Sequence, residues 1–112
     1  MKNLTPHSIT LRNEQGLDTV IEPSGTVARV STSSEVVGVM NGLEVIRTVY
    51  GDVEGLGTPQ DHPNGVLVSG LVLGRLGKEW EGVAFAPATG PSDNCIRDSK
   101  GMIVAVTKLV TV

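Results

Sequence analysis

The chain has 112 residues, 9 Lys and Arg against 12 Asp and Glu, a formal charge of −3, and is 39% hydrophobic and 19% charged. That balance argues against a disordered segment, and with no basic excess it argues against a partner that is a nucleic-acid polymer. A single cysteine excludes an intramolecular disulfide.

One domain spanning residues 1–112 is expected, able to bury roughly two-thirds of its unfolded surface without a disulfide or a metal. The opening, Met1 to His7, lacks the apolar run of a signal peptide, and no stretch reads as a transmembrane span. A cytoplasmic location with no membrane partner is therefore expected. Seventeen Val and 14 Gly beside three aromatics (Tyr50, Trp80, Phe85) imply short strands, tight turns and an aliphatic core. A nucleobase would have few surfaces on which to stack.

In chain order, Pro6 leads into a strand over Ser8 to Leu11, which turns at Arg12 to Gly16 and returns over Thr19 to Ile21. Pro23-Ser24-Gly25 is the next turn. A strand follows over Thr26 to Ser31, with Val27 inward, Ala28 outward, and Arg29 on the face of Val27. Arg29 then lies on a solvated face or points into a partly buried site. Ser31 to Ser34 reads as a polar loop.

Glu35 to Met40 and Leu43 to Tyr50 flank Asn41-Gly42, the strongest hairpin signal in the chain, because both central residues of a type I′ turn need positive φ. Gly51 to Leu56 continues as a bent or bulged strand, and Gly57 to Gly65, with two Pro, is the longest loop. Val66 to Val68 reads as a strand buried on both faces. Ser69 is placed to cap a helix over Gly70 to Leu76 that stops at Gly77. Val83 to Phe85 is another strand. Cys95 to Arg97 and Met102 to Val106 form a hairpin around Asp98 to Gly101, with Thr107 to Val112 prolonging its second strand. The expected fold class is mainly β with one short helix, an α+β single domain with room for a small parallel element around the helix.

Few motifs carry chemistry. Gly65, Gly70, Gly74 and Gly77 resemble a phosphate loop only in glycine content, since Leu71 and Val72 stand where Lys and Ser or Thr are required. No metal-ligand spacing joins the two His, one Cys and five Asp, so neither a metal nor a cofactor is expected. Cys95 reads as a small buried residue, and Glu79 and Glu81 around Trp80 as a solvated connection rather than a catalytic pair. Asn3-Leu4-Thr5 matches a glycosylation sequon, without meaning in a protein that is not secreted.

The arginines stand out. Arg29 on a strand and Arg97 beside a turn sit among apolar neighbours, where a guanidinium makes bidentate contacts to phosphate or carboxylate. Alternatively each lies over a sheet edge or pairs with Glu22 or Asp98. Ser69 and Gly70 at a helix start offer backbone N–H groups to an anion. Arg29, Arg97, Ser69 and Gly70 are the candidate ligand-binding residues.

Asn3-Leu4-Thr5-Pro6-His7, Pro23 to Val30, Gly55-Leu56, Val68-Ser69, Ile96-Arg97-Asp98 and Gly101-Met102-Ile103 together resemble a group of small bacteriophage and prophage-type proteins over almost the whole chain. The resemblance departs at Gly57 to Asn64, which reads as a longer loop than the pattern of that group implies. The resemblance implies an accessory protein acting in the cytoplasm of an infected bacterium and carries no settled activity.

The expected function is non-enzymatic binding of counter-defence type. The protein would sequester a small anionic, nucleotide-derived host signal or block a host defence protein. The alternative is a virion structural or assembly protein whose Met102 to Val112 run adds as an edge strand to a neighbouring copy. A nucleotide hydrolase is the third reading, for which no acid–base or metal constellation is visible. A homo-oligomer is expected in either of the first two cases, because exposed edges of so small a β domain are commonly satisfied by self-pairing.

Overall fold

The computed structural model describes all 112 residues. Its centre is a four-stranded mixed sheet in the order β1-β6-β7-β10, formed by Lys2–Asn3, Val66–Leu67, Ala84–Pro87 and Leu109–Thr111. β1, β6 and β7 run parallel and β10 returns antiparallel against β7. Parallel neighbours need a crossover. Here it is helix α1, Gly70–Leu73, followed by a 3₁₀ turn at Lys78–Trp80, so the small parallel element of the sequence reading is present.

Val66, Leu67 and Val68 are fully buried, as the continuous apolar run requires. The core gathers Val66, Val68, Ala84 and Ala86 of this sheet with Val72 and Leu73 of α1, and with Leu4, Ala28, Leu56 and Trp80. Trp80 fills it from the 3₁₀ turn, while Glu79 and Glu81 on either side are exposed.

Two hairpins flank the sheet: β2 with β3, Ile9–Arg12 and Asp18–Ile21, and β8 with β9, Ile96–Arg97 and Ile103–Ala105. They join where the Arg12 N–H donates to the Val106 carbonyl and the Val106 N–H donates to Thr10. The final strand does not prolong β9 as expected. After the Val106 bridge the chain breaks away, and β10 crosses to the central sheet, where it finds an unpaired edge beside β7.

The largest departure from the sequence reading is an arm. β4, Arg29–Met40, and β5, Leu43–Glu54, form one antiparallel ribbon of twelve residues a side. Asn41 and Gly42 at its tip have φ of 52° and 78°, the positive pair that a type I′ turn needs. Ser31 to Ser34, expected as a loop, is ribbon: Thr32, Ser33 and Ser34 pair with Tyr50, Val49 and Thr48. The ladder started by the turn supplies hydrogen bonds whatever the side-chain polarity, and no buried face is there to demand alternation.

A bulge between Val36 and Gly38 and another irregularity between Val30 and Thr32 interrupt the register. A Cβ at Gly51, beside the second, would collide with Ser31. At the root the alternation is opposite to that expected, because Ala28 is buried and Val27 only partly so. The arm gives the chain a radius of gyration of 16.7 Å, against about 13 Å for a rounded chain of this size.

The helix ends at Gly74 rather than Gly77, one turn earlier than expected. Its glycines weaken it, and the chain needs the next residues to bring Trp80 back to the core. The long loop is partly ordered by a 3₁₀ turn at Pro59–Asp61. His62, which follows, is buried beside Trp80 with its ring centroid 6.0 Å away, and its Nε2 lies 2.6 Å from the Leu56 carbonyl oxygen.

Candidate functional site

At the root of the arm is a hollow of about 390 Å³. Three segments wall it: Leu4 to Pro6 after β1, Val27 to Ser31 leading into β4, and Ser69, Leu71 and Val72 at α1, with Glu54 closing the side from the end of β5. The floor is apolar, since Leu4, Ala28 and Val72 are core residues. The rim is charged. Arg29 and Glu54 face one another as a cross-strand pair, yet neither forms an ion pair, and the salt bridges of the chain are Arg12–Asp18 and Arg47–Glu35. The hollow thus offers a free guanidinium and a free carboxylate above an apolar floor.

The four candidate residues separate. Arg29 and Ser69 line this hollow together. Gly70, one residue on, faces a second hollow of about 470 Å³ between α1 and β10. Arg97 lines neither; its Nη1 donates to the Gly101 carbonyl at 2.9 Å and braces the β8–β9 turn. Neither arginine pairs with Glu22 or Asp98. Glu22 accepts from the Ser8 hydroxyl and Asp98 accepts the N–H groups of Lys100 and Met102. The Ser69 hydroxyl caps its helix by accepting from the Val72 N–H at 3.2 Å, so its first duty is structural. Cys95 is free and half-buried rather than buried.

Glu54 and Thr5 belong to the site and were not singled out from sequence. Thr5 arrives through a buried polar knot. Asn3, 1% exposed, accepts at Oδ1 from the Thr5 N–H and hydroxyl, and donates from Nδ2 to the carbonyls of His7 and Ile21. The residues that spell a sequon are therefore a structural device: they turn the chain out of β1, tie it to β3, and set the wall of the hollow. A side-chain amide so enclosed is closed to modification in the folded protein.

Two further features hold the site. Arg75, beyond α1, lies over the ring of Tyr50 at 4.4 Å and fixes β5 against the body. Gly55 has φ of 81°, and a Cβ there would meet the Val27 carbonyl oxygen at 2.9 Å, so only glycine lets the end of β5 pass so close to the strand carrying Arg29.

Elsewhere, the Thr58 N–H and hydroxyl both donate to Asp61 and hold its carboxyl below the usual aspartate range. No three His, Cys, Asp or Glu side chains converge as metal ligands, and no helix is long and apolar enough to cross a membrane. Comparison with protein-family models, with curated proteins and with solved structures finds no match to this chain.

Proposed function

We propose that this chain is a non-enzymatic binding protein of bacteriophage type that sequesters a small anionic, nucleotide-derived signal of the host, with Arg29 holding the anionic group. The observation that carries the reading is the unpaired Arg29 guanidinium at the rim of an apolar-floored hollow. A guanidinium binds phosphate through parallel N–H groups, and the carboxylate that shares this rim, Glu54, is not paired with it.

Glu54 on the same rim refines the ligand class. A carboxylate would repel a simple anion and accept hydrogen bonds from amino or sugar hydroxyl groups, which a nucleotide carries at a distance from its phosphate. Ser69 contributes as a wall of the hollow. Arg97 and Gly70, lying outside it, carry no part of this reading.

The test is native mass spectrometry of the protein purified gently from bacteria in which a nucleotide-signalled defence is active. A retained mass of a few hundred daltons, lost in Arg29→Ala with the fold intact, is the expected result. A ligand-free wild type of discrete size would refute sequestration and favour blocking of a host protein. The virion-assembly reading is favoured by one observation, the exposed apolar arm; it predicts the protein in purified particles and a ladder of sizes in the same spectrum.

A further inference from the structure

The arm exposes apolar side chains on both of its faces. Directly opposed residues of an antiparallel pair share a face. One face of the ribbon therefore presents Met40, Leu43, Val45 and Val49 around the Glu35–Arg47 ion pair, and the other presents Val36, Val39, Ile46 and Tyr50. These eight are between 41% and 71% exposed, and the most exposed, Val39, Met40 and Leu43, crowd the tip. A two-stranded ribbon with solvent on both sides is marginal in water and needs a further surface to bury against. No element of this chain covers the outer half.

We propose that the outer half of the arm, Val36 to Val49, is the surface through which two copies of this chain associate, ribbon on ribbon about a twofold axis. Three observations select a second copy over another partner. Between Val36 and Leu43 there is no charged residue, and the rest of the surface carries only Glu44 and an Arg47 already paired with Glu35, so no run of like charge recruits an oppositely charged protein, a nucleic acid or an anionic membrane. The eight exposed apolar residues present on the order of 800 Å² over the two faces together, so a ribbon that lays one face on its copy gives roughly half of that, the area of a weak, reversible contact rather than of a standard interface.

Finally, the edge of β4 over Val36 to Met40 has no Lys, Glu or Pro to block pairing, and the one surface sure to offer the same two-faced apolar ribbon is a second arm. The inference names the surface for the homo-oligomer expected from sequence, and it stands independently of what the hollow holds.

The experiment is sedimentation equilibrium of the full chain from about 1 to 100 µM, beside the double variant Val39→Lys, Leu43→Lys. Both positions are about 70% exposed, so the monomer fold tolerates the change. The wild type is expected to associate and the variant to be at least a hundredfold weaker. Hydrogen exchange of the wild type alone supplies the check that needs no variant: amides of 36–49 gain protection as concentration rises. A wild type monomeric at 100 µM overturns the proposal, as does a variant that associates equally, or association that leaves the arm amides unprotected. Arg29→Ala leaves association unchanged, which separates this result from the ligand test.

Discussion

Asn3→Ala is expected to destabilise the protein by about 3–5 kcal/mol, a large share of the 5–15 kcal/mol typical of a domain. The Asn3 side chain is almost fully buried and makes four hydrogen bonds, two as acceptor from Thr5 and two as donor to the His7 and Ile21 carbonyls. The two bonds from Nδ2 contribute roughly 1 kcal/mol each net, and a buried donor left without a partner costs about 1–3 kcal/mol. The Thr5 N–H, buried and bonded to Asn3 Oδ1, is such a donor, while the Thr5 hydroxyl, whose one proton lies within reach of both Asn3 Oδ1 and the His7 carbonyl, turns to the carbonyl.

Urea unfolding followed by the fluorescence of Trp80, the only tryptophan and a core residue, reads the change. With m of about 1–3 kcal/mol/M the midpoint falls by at least about 1 M. Asn3→Asp keeps the acceptor oxygen but sets a second oxygen against two carbonyls, so near neutral pH it is expected to rescue nothing. A loss below about 1 kcal/mol for Asn3→Ala would refute the view that this knot holds the N-terminal wall of the hollow.

Four further outcomes follow from the geometry. Gly55→Ala is expected to cost about 1–3 kcal/mol, because it places a Cβ at positive φ and against the Val27 carbonyl oxygen, whereas Gly38→Ala, with nothing within 4 Å, shifts the urea midpoint little. The Asp61 carboxyl, held low by the Thr58 N–H and then by its hydroxyl, should titrate below the ordinary value of about 3.9 when followed by NMR. Its contribution to stability is full above that value and lost as pH falls through the folded one; titration at or above 3.9 would remove the argument.

Arg75→Ala should cost about 0.5–1 kcal/mol and speed amide exchange around Tyr50, with no change there counting against the clamp on the arm. Glu54→Gln should leave folding unaltered and strengthen binding of a plain phosphate anion to the hollow, and weaker binding would show that Glu54 does not face the ligand.

The mainly-β class with one short helix was legible in the sequence because its determinants are local. Asn41-Gly42 sets a hairpin through its own backbone preferences, Ser69 caps through its own hydroxyl, and Val66 to Val68 announces burial by an unbroken apolar run. The Arg29–Glu54 pairing was not read from the sequence, because with Ser31 to Ser34 taken as a loop the ladder stops short of it; in the structure the two irregularities of the ribbon cancel, so that Arg29 and Glu54 stand opposite.

What tertiary structure alone decided is where the non-local partners lie. Whether Ser31 to Ser34 is loop or ribbon depends on Thr48 to Tyr50 lying opposite, and whether 107–112 prolongs β9 or joins β7 depends on which edge is vacant. Asn3 reads as an exposed sequon until His7 and Ile21 close around it. The hollow likewise joins residues from the turn after the first strand, the arm and the helix, segments separated by tens of residues. Local chemistry determines turns and caps; the meeting of distant segments is settled by packing, because only the assembled core tells the chain which faces and edges are left open.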